Sequence, residues 1–298
     1  MTDSATKDTL FHITDLHFWK VLLQPWRLMN KRLLGNANVY LRRRHDFHMD
    51  RAEEFARHML KAGSGGILFG GDFTSTATDE EFLLARRFVD LFLEAERPVY
   101  VMPGNHDVYT FESVRKQRFE RYFHDLIPEG GYPCRIDLPG GTPLILAPTV
   151  TPNFLSSKGR IRAKEVEAVR QLLADCPSGP ILVAGHYPVL HRTHAYDSPP
   201  SRRLRKAEAL HAVLGGTGQP TLYVAGHVHR FSYVQDPGYP NLRHVTTPAF
   251  FLKRRKEPTQ GAFSEIQVQA SDFVVYQHVC EEVWRRDSEN PRHGHLTP

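Results

Sequence analysis

The sequence predicts an α/β protein in which helices pack on sheets, and three observations support this fold class. Short apolar runs typical of buried strands alternate with amphipathic helical segments as far as residue 225, as expected where helices cover a sheet. Between residues 231 and 279 the pattern changes to successive strands joined by turns, which predicts a mixed second sheet. No linker or internal repeat divides the 298 residues. A single domain is therefore expected over residues 1–285, followed by a polar tail at 286–298 that is expected to be disordered.

The individual elements follow from local patterning. Strands are expected at residues 10–14, 66–69, 99–102, 134–138, 143–147, 180–184, 221–225, 233–234, 243–246, 262–269 and 273–278. Helices are expected at residues 49–62, 78–95, 111–126, 162–174 and 204–214. The clearest helix start is Thr78-Asp79-Glu80-Glu81, because a threonine followed three residues later by a glutamate is a capping box.

Charge is concentrated in one segment. The chain has 38 Lys+Arg and 33 Asp+Glu, a formal net charge of +5. Residues 18–45 hold seven basic residues and no acidic one, together with two of the three tryptophans, which leaves the rest of the chain at −2. A nucleic-acid partner is not expected, because the bulk of the surface is not basic.

Several protein classes are excluded by length and composition. A chain of this length buries enough surface to fold without disulfides or a structural metal. No apolar run reaches the roughly 18 residues of a membrane-spanning helix. The polar, partly acidic N-terminus does not resemble a signal peptide. The three cysteines, Cys134, Cys176 and Cys280, are widely spaced, which favours reduced thiols and a cytoplasmic protein.

Five predicted strands end in residues that bind metals or transfer protons. The five blocks are Asp15-Leu16-His17, Gly71-Asp72, Gly104-Asn105-His106-Asp107, Gly185-His186 and Gly226-His227-Val228-His229. Because ligands bind at the carboxyl ends of strands in open α/β sheets, we expect these blocks to form one cluster. A set of carboxylates, imidazoles and an amide oxygen without thiolate suits Mn, Fe or Zn. Two carboxylates, one amide oxygen and four imidazoles make seven ligands. These are enough for two metals about 3.5–4 Å apart, a layout that cleaves phosphate esters.

The order of these five blocks resembles the calcineurin-like metallophosphoesterase superfamily, and it covers residues 15–229. The resemblance implies a four-layer α/β/β/α sandwich of two mixed sheets flanked by helices. It implies that the first metal is held by Asp15, His17 and His229. It implies that the second is held by Asn105, His186 and His227, with Asp72 bridging both.

The resemblance also implies a mechanism, in which metal-bound hydroxide attacks phosphorus in line with the leaving group. His106 would act on the phosphate or protonate the leaving oxygen, oriented by Asp107, and would not be a metal ligand. A histidine between an asparagine ligand and a carboxylate is well placed as a general acid. Two divalent metal ions are therefore expected, Mn first, with Fe or Zn as alternatives.

The resemblance implies a phosphodiester or pyrophosphate substrate, and the core blocks leave its class open. Segment 18–45 combines Trp, Leu and Lys/Arg without acids, a composition typical of an interfacial membrane segment. It loosely resembles the calcineurin-like UDP-2,3-diacylglucosamine pyrophosphatases of lipid A synthesis. This favours an amphiphilic, lipid-linked substrate and peripheral contact with an anionic membrane at its cytoplasmic face. Candidate substrate contacts are His191, His194, Arg32 and Arg43.

Other interpretations stay open at the level of sequence. The same five blocks fit a soluble phosphodiesterase that acts on cyclic nucleotides or other small diesters. Segment 18–45 is also compatible with a helical excursion whose apolar side packs on the domain. A non-catalytic scaffold would require a missing ligand, and all seven are present.

Overall fold

Two six-stranded mixed sheets form the centre of the protein. The structure is a computed structural model and describes residues 6–20, 46–153, 156–253 and 258–292. The strand order is β14-β13-β12-β1-β2-β3 in the first sheet and β10-β11-β9-β7-β5-β4 in the second. The strands are β1 (Asp8–Ile13), β2 (Gly66–Phe69), β3 (Val99–Val101), β4 (Cys134–Asp137), β5 (Pro143–Leu146), β6 (Gly159–Arg160), β7 (Ile181–Ala184), β8 (Leu204–Arg205), β9 (Thr221–Ala225), β10 (Ser232–Gln235), β11 (Leu242–Thr246), β12 (Gly261–Val268), β13 (Phe273–Cys280) and β14 (Trp284–Glu289).

The strands that lead into the five sequence blocks run parallel within each sheet. In the first sheet, β1 pairs in parallel with β2, and β2 with β3. In the second, β7 lies between β5 and β9, parallel to both. Antiparallel strands complete both sheets, for example β12 beside β1 and β10 beside β11. Because the parallel strands share one direction, their carboxyl ends lie at one edge of each sheet.

Helices cover the outer face of both sheets. They are α1 (Ala52–Ala62), α2 (Asp79–Leu93), α3 (Phe111–Arg115), α4 (Arg118–Phe123), α5 (Ala163–Ala174) and α6 (Ala207–Gly215). On β1, Phe11 and Ile13 pack with Phe55 of α1 and Phe88 of α2 on the helical side. The alternate residue Leu10 packs between the sheets, as the two-residue period of a strand requires. A third core joins α5 and α6 to the second sheet, which confirms the four-layer α/β/β/α sandwich.

Three local expectations from the sequence are corrected. The expected helix at 111–126 is two helices, because Gln117 adopts a left-handed conformation with φ of 46° between α3 and α4. The expected helix at 204–214 begins at Ala207, because Leu204 and Arg205 form β8 and pair with β6. The expected disordered tail from residue 286 is ordered through Glu289, because β14 pairs with β13.

A carboxylate at the start of β1 joins the two sheets. The Asp8 side chain accepts hydrogen bonds from the backbone N–H of Gly140 at 2.7 Å and of Thr142 at 3.1 Å. Both donors lie at the turn between β4 and β5 of the second sheet. Asp8 lies at the opposite end of β1 from Asp15, on the order of 20 Å away along an extended strand.

We expect Asp8→Ala to lower the free energy of unfolding by about 1–3 kcal/mol, because the buried N–H of Thr142 loses its acceptor. Urea unfolding measures this, and Asp8→Asn, which keeps one acceptor oxygen, should lose less. Activity per folded molecule should not change, because the contact lies far from the carboxyl edge. A urea midpoint equal to that of the wild type would show that this contact does not stabilise the fold.

Candidate metal centre

The seven expected ligands follow the carboxyl ends of five parallel strands. Asp15 and His17 follow β1, Asp72 follows β2, and Asn105 follows β3, all in the first sheet. His186 follows β7, and His227 and His229 follow β9, all in the second sheet. The strands therefore bring the ligands to the crevice where the edges of the two sheets meet.

The loops that carry the expected ligands leave their strands in a left-handed backbone conformation that residues other than glycine rarely adopt. Five of the seven expected ligands have positive φ: Asp15 (54°), His17 (50°), Asp72 (56°), His227 (67°) and His229 (54°). Such conformations cost of the order of 1–3 kcal/mol each in non-glycine residues and are concentrated at functional sites. Gly226 permits the close approach of two of these loops, because a Cβ there would collide with the side chains of Thr14 and Asp15.

One group of ligands surrounds Asp15. The Nε2 atom of His229 lies 3.0 Å from Asp15 Oδ1 and 3.2 Å from the Nε2 atom of His17. His17 Nε2 is 3.7 Å from the same Asp15 oxygen. The second Asp15 oxygen accepts hydrogen bonds from the Thr14 hydroxyl and from the backbone N–H of His227. Three ligating atoms therefore converge, as expected for the first metal.

A second group of ligands surrounds Asn105. Its side-chain oxygen lies 3.2 Å from His186 Nε2 and 2.9 Å from His227 Nδ1. These three residues are the set expected for the second metal.

Asp72 lies between the two groups. Its Oδ2 atom is 3.8 Å from His17 Nε2 and 3.5 Å from His186 Nε2. Its Oδ1 atom accepts a hydrogen bond of 2.6 Å from the backbone N–H of His106. One carboxylate oxygen thus faces a histidine from each group, which is the geometry expected of a bridging ligand.

Backbone carbonyl groups fix the tautomers of three ligand histidines. The Gly70 carbonyl lies 2.9 Å from His186 Nδ1, the Arg202 carbonyl 3.1 Å from His227 Nε2, and the Thr74 carbonyl 3.4 Å from His17 Nδ1. A carbonyl only accepts, so each of these ring nitrogens carries the hydrogen. The other nitrogen presents its lone pair to the centre, the arrangement typical of metal-ligating histidines. The residues therefore fit a pair of divalent metals.

Electrostatics also favour cations at this position. Burial would raise the pKa of the Asp72 carboxyl, but His186, His106 and His17 hold that pKa well below its ordinary value. Burial would lower the pKa of His186, but Asp72 raises it to about 9. Burial likewise opposes ionisation of Asp15, whose pKa is nevertheless lowered by His229. Two ionised carboxylates are thus buried side by side, an arrangement that needs positive charge nearby.

His106 lies at the centre, but Asp107 does not orient it as the resemblance implied. The His106 ring is held through Nδ1 by the Ser75 carbonyl at 2.7 Å, and it stacks on Tyr109. The Asp107 carboxylate instead accepts hydrogen bonds from the backbone N–H groups of Phe73, Thr74 and Gly104 and from the Thr74 hydroxyl. Asp107 is therefore a positioning residue, which joins the loop of Asp72 to the loop of Asn105.

A second cluster of histidines around a carboxylate, at Asp236, does not present histidine lone pairs as the metal centre does. His211 and His244 both direct Nε2 at Asp236 Oδ2, at 2.5 and 2.7 Å. The Nδ1 atom of His244 is buried without a hydrogen-bond partner. Hydrogen placed on that nitrogen would have no acceptor, so Nε2 carries it and donates to Asp236. The cluster therefore holds α6 against β10 and β11 rather than presenting lone pairs to a metal.

The structure describes only two of the four residues expected to contact substrate. Arg32 and Arg43 lie outside the described residues. His191 and His194 lie in the loop after β7, yet the cleft beside His227 and His229 is lined by other residues. Those residues are Tyr196, Asp197, Ser198, Pro199, Arg202 and Val228. No motif marks them in the sequence, and only their position after a ligand strand pointed to this region.

We expect Asp107→Ala to weaken metal binding by roughly 10- to 100-fold, the range found when residues that support metal ligands are removed. The reason is that three backbone N–H groups of the two ligand loops lose their acceptor. Isothermal titration with Mn²⁺ measures the affinity, and Asp137→Ala, an exposed aspartate in β4, is the control. Unchanged affinity combined with a lower kcat would contradict this positioning role.

Comparisons with known proteins agree with this geometry. A sequence model described as calcineurin-like phosphoesterase matches residues 9–231. No curated protein matches the chain. Among solved structures, a dimetal phosphatase from Danio rerio is 14% identical with a TM-score of 0.56, over 96% of this chain and 100% of that one. A purple acid phosphatase from yellow lupin is 12% identical with a TM-score of 0.55, over 96% of this chain and 54% of that one. A structure of PhoD is 10% identical with a TM-score of 0.55, over 98% and 74%.

The structural similarities, at these identities, show the fold alone, whereas the family model spans most of the chain and includes all five ligand blocks. The chain belongs to the calcineurin-like phosphoesterase family and is a metal-dependent phosphoesterase.

Proposed function

We propose that this enzyme hydrolyses a phosphodiester or pyrophosphate bond by in-line displacement at a two-metal centre. The observation that carries the proposal is the position of Asp72, whose Oδ2 atom faces His17 in one ligand group and His186 in the other. Asp15, His17 and His229 would hold one divalent cation, Asn105, His186 and His227 the other, and Asp72 both. Such cations, when bound, lower the pKa of a water nucleophile and neutralise charge on the phosphoryl oxygens.

His106 is the residue we assign to proton transfer. Its Nδ1 hydrogen is held by the Ser75 carbonyl, so Nε2 is the atom that exchanges a proton with the substrate. The ring is half-buried and its centroid lies 4.8 Å from that of His17, which puts it at the mouth of the centre. Protonation of the leaving oxygen by Nε2 would complete the displacement.

For the substrate, we propose a lipid-linked pyrophosphate such as UDP-2,3-diacylglucosamine. The support comes from the sequence of segment 18–45, which is rich in Trp, Leu and Lys/Arg and directly follows the first ligand block. Residues 21–45 lie outside the described residues. We further propose that the enzyme works at the cytoplasmic face of an anionic membrane, since its three cysteines are free, as in a reducing compartment. None of the helices in the described parts of the chain has the length and apolar character needed to span a membrane.

A second candidate is a soluble phosphodiesterase of cyclic nucleotides or small diesters, which the same five sequence blocks fit equally well. A screen of the purified enzyme with Mn²⁺, Fe²⁺ or Zn²⁺ separates the two, and Mn²⁺ is the metal we propose. The substrates are UDP-2,3-diacylglucosamine in detergent, cyclic AMP and bis(4-nitrophenyl) phosphate. Turnover of the lipid that depends on detergent supports the first candidate. Turnover of cyclic AMP with no effect on the lipid supports the second.

We expect Asp72→Ala to reduce kcat by about 10³-fold or more, as when an essential charge-stabilising group is removed, and to reduce bound metal. Elemental analysis and hydrolysis of bis(4-nitrophenyl) phosphate measure both effects. Asp90→Ala, on the surface of α2, is the matched control and should behave as the wild type. Turnover by Asp72→Ala within a few-fold of the wild type would rule out the bridging role.

We expect His106→Ala to lose about 10²- to 10⁴-fold in kcat, the usual contribution of a general acid, while it keeps its metal. His124→Ala, an exposed histidine after α4, should change neither quantity. If the metal content of His106→Ala falls together with kcat, then His106 is a ligand and the assignment to proton transfer is wrong. This outcome has a structural basis, since ligating atoms of His17, Asp72 and His106 lie within 4.8 Å of one another.

A further inference from the structure

A small cleft opens directly beside the metal centre. It has a volume of about 150 Å³ and is lined by His227 and His229 together with residues of the loop that follows β7. Pockets that enclose a whole small-molecule ligand usually measure about 300–1,000 Å³. The cleft is therefore the right size for one chemical group of a substrate whose reacting phosphorus lies at the ligands.

The loop that forms this cleft is held in place by its own hydrogen bonds. The backbone N–H of Thr193 donates to the carbonyl of Tyr196, and that of Ser198 donates to the carbonyl of His191, both at 2.9 Å. The Tyr196 hydroxyl donates to the Leu190 carbonyl. The cleft is therefore formed before any substrate binds.

Among the described residues, one positive charge that lines the cleft has no carboxylate partner. Asp197 lies 3.8 Å from Arg192 and 3.7 Å from Arg203, so its charge is shared between two arginines. Arg202 also lines the cleft and is exposed, yet within the described residues its guanidinium forms no ion pair. A guanidinium presents a planar fork of donors that matches phosphate oxygens.

The backbone of Arg202 fixes its distance from the reacting centre. Its carbonyl accepts the hydrogen bond from His227 Nε2 at 3.1 Å, and the opposite ring nitrogen, Nδ1, lies 2.9 Å from Asn105. Residue 202 is thus one imidazole ring away from the second ligand group. A group on the reacting phosphorus that extends past His227 would reach this residue.

We propose that Arg202 binds a second phosphoryl group of the substrate, next to the one that is attacked, and so selects pyrophosphate-linked substrates over simple diesters. This inference rests on the proposed function of the same centre. In the reaction, a water oxygen forms a bond to the attacked phosphorus. The bond from that phosphorus to the bridging oxygen breaks, and the bridging oxygen keeps the electron pair. His106 protonates that oxygen, and the proton lost by the attacking water restores His106. One water is consumed and two phosphate monoesters form, so no oxidant or reductant is needed.

Inhibition of bis(4-nitrophenyl) phosphate hydrolysis tests the proposal with two probes, α,β-methylene-ADP and AMP. They share a nucleoside and differ by the second phosphoryl group. The proteins are the wild type, Arg202→Gln, Arg202→Lys and the control Arg205→Gln, which changes an exposed arginine of β8. All substitutions keep the residue 202 carbonyl that fixes His227, and elemental analysis checks that metal content is unchanged.

We expect the wild type to bind α,β-methylene-ADP at least about 10-fold more tightly than AMP, in line with a hydrogen-bonded charge pair. Arg202→Gln should remove this difference, Arg202→Lys should keep part of it, and Arg205→Gln should keep all of it. A wild type that does not distinguish the probes overturns the proposal, and so does an Arg202→Gln variant that still distinguishes them. Equal weakening of both probes, or loss of metal in Arg202→Gln, overturns it as well, because residue 202 would then act through the ligands.

Failure of the proposed function gives a different result. A metal-loaded wild type that hydrolyses none of the phosphoesters would reject the hydrolase assignment. The probe affinities would then be measured by titration calorimetry, and the same comparison of variants would decide whether Arg202 recognises the second phosphoryl group.

Discussion

Two ionised carboxylates, Asp15 and Asp72, lie buried beside the same histidine. The geometry of the centre follows from the need to balance their two negative charges. His17 Nε2 is 3.7 Å from Asp15 and 3.8 Å from Asp72. Histidine hydrogen bonding and charge lower the pKa of both carboxyls against the effect of burial. Histidines that give up their protons to become metal ligands no longer balance two buried negative charges, whereas divalent cations do. The convergence of side chains from two sheets is therefore explained by the positive charge of the cations that they would bind together.

Main-chain groups, more than side chains, hold this arrangement together. Carbonyl groups of Gly70, Thr74 and Arg202 orient three of the expected ligand histidines. Backbone N–H groups donate hydrogen bonds to Asp107. Burial and the charge of Asp72 raise the pKa of Asp107 to about 7. Because ligand loops with positive φ are strained, these contacts are what keep the loops in one conformation. The cost of the strain is distributed over a network that joins both sheets.

The sequence predicted which residues gather at the crevice but not the contacts that support them. The position of His186 could be predicted because a strand pattern followed by Gly-His places its side chain at a carboxyl edge. The four layers could be expected from the family resemblance and from strands that alternate with helices. The role of Asp107 could not be predicted, because its partners Phe73 and Thr74 lie in another loop and act through backbone atoms that no residue type reveals.

Other features depended on tertiary contacts in the same way. The two-residue strand β8 exists because it pairs with β6, and the local sequence there favours a helix. The helix predicted at 111–126 breaks at Gln117, a residue with no intrinsic preference for the left-handed region. The cleft residues Tyr196 and Arg202 carry no motif, since a recognition loop is defined by where it folds and not by a fixed spacing. Local sequence patterns therefore predict helices, strands and the residues at strand ends. Tertiary packing decides short strands, helix breaks and the residues that line the cleft.

The use of main-chain contacts has a consequence for substrate choice. The Arg202 carbonyl fixes the tautomer of His227, and residue 202 also lines the cleft. Any residue at position 202 other than one that distorts the backbone would preserve the first contact, because every residue has a carbonyl. The side chain is therefore free to vary with the substrate while the metal ligand keeps its orientation. If Arg202 recognises substrate as proposed, a single position in the loop after β7 separates support of His227 from recognition, so the same centre can serve substrates with different groups beside the reacting phosphorus.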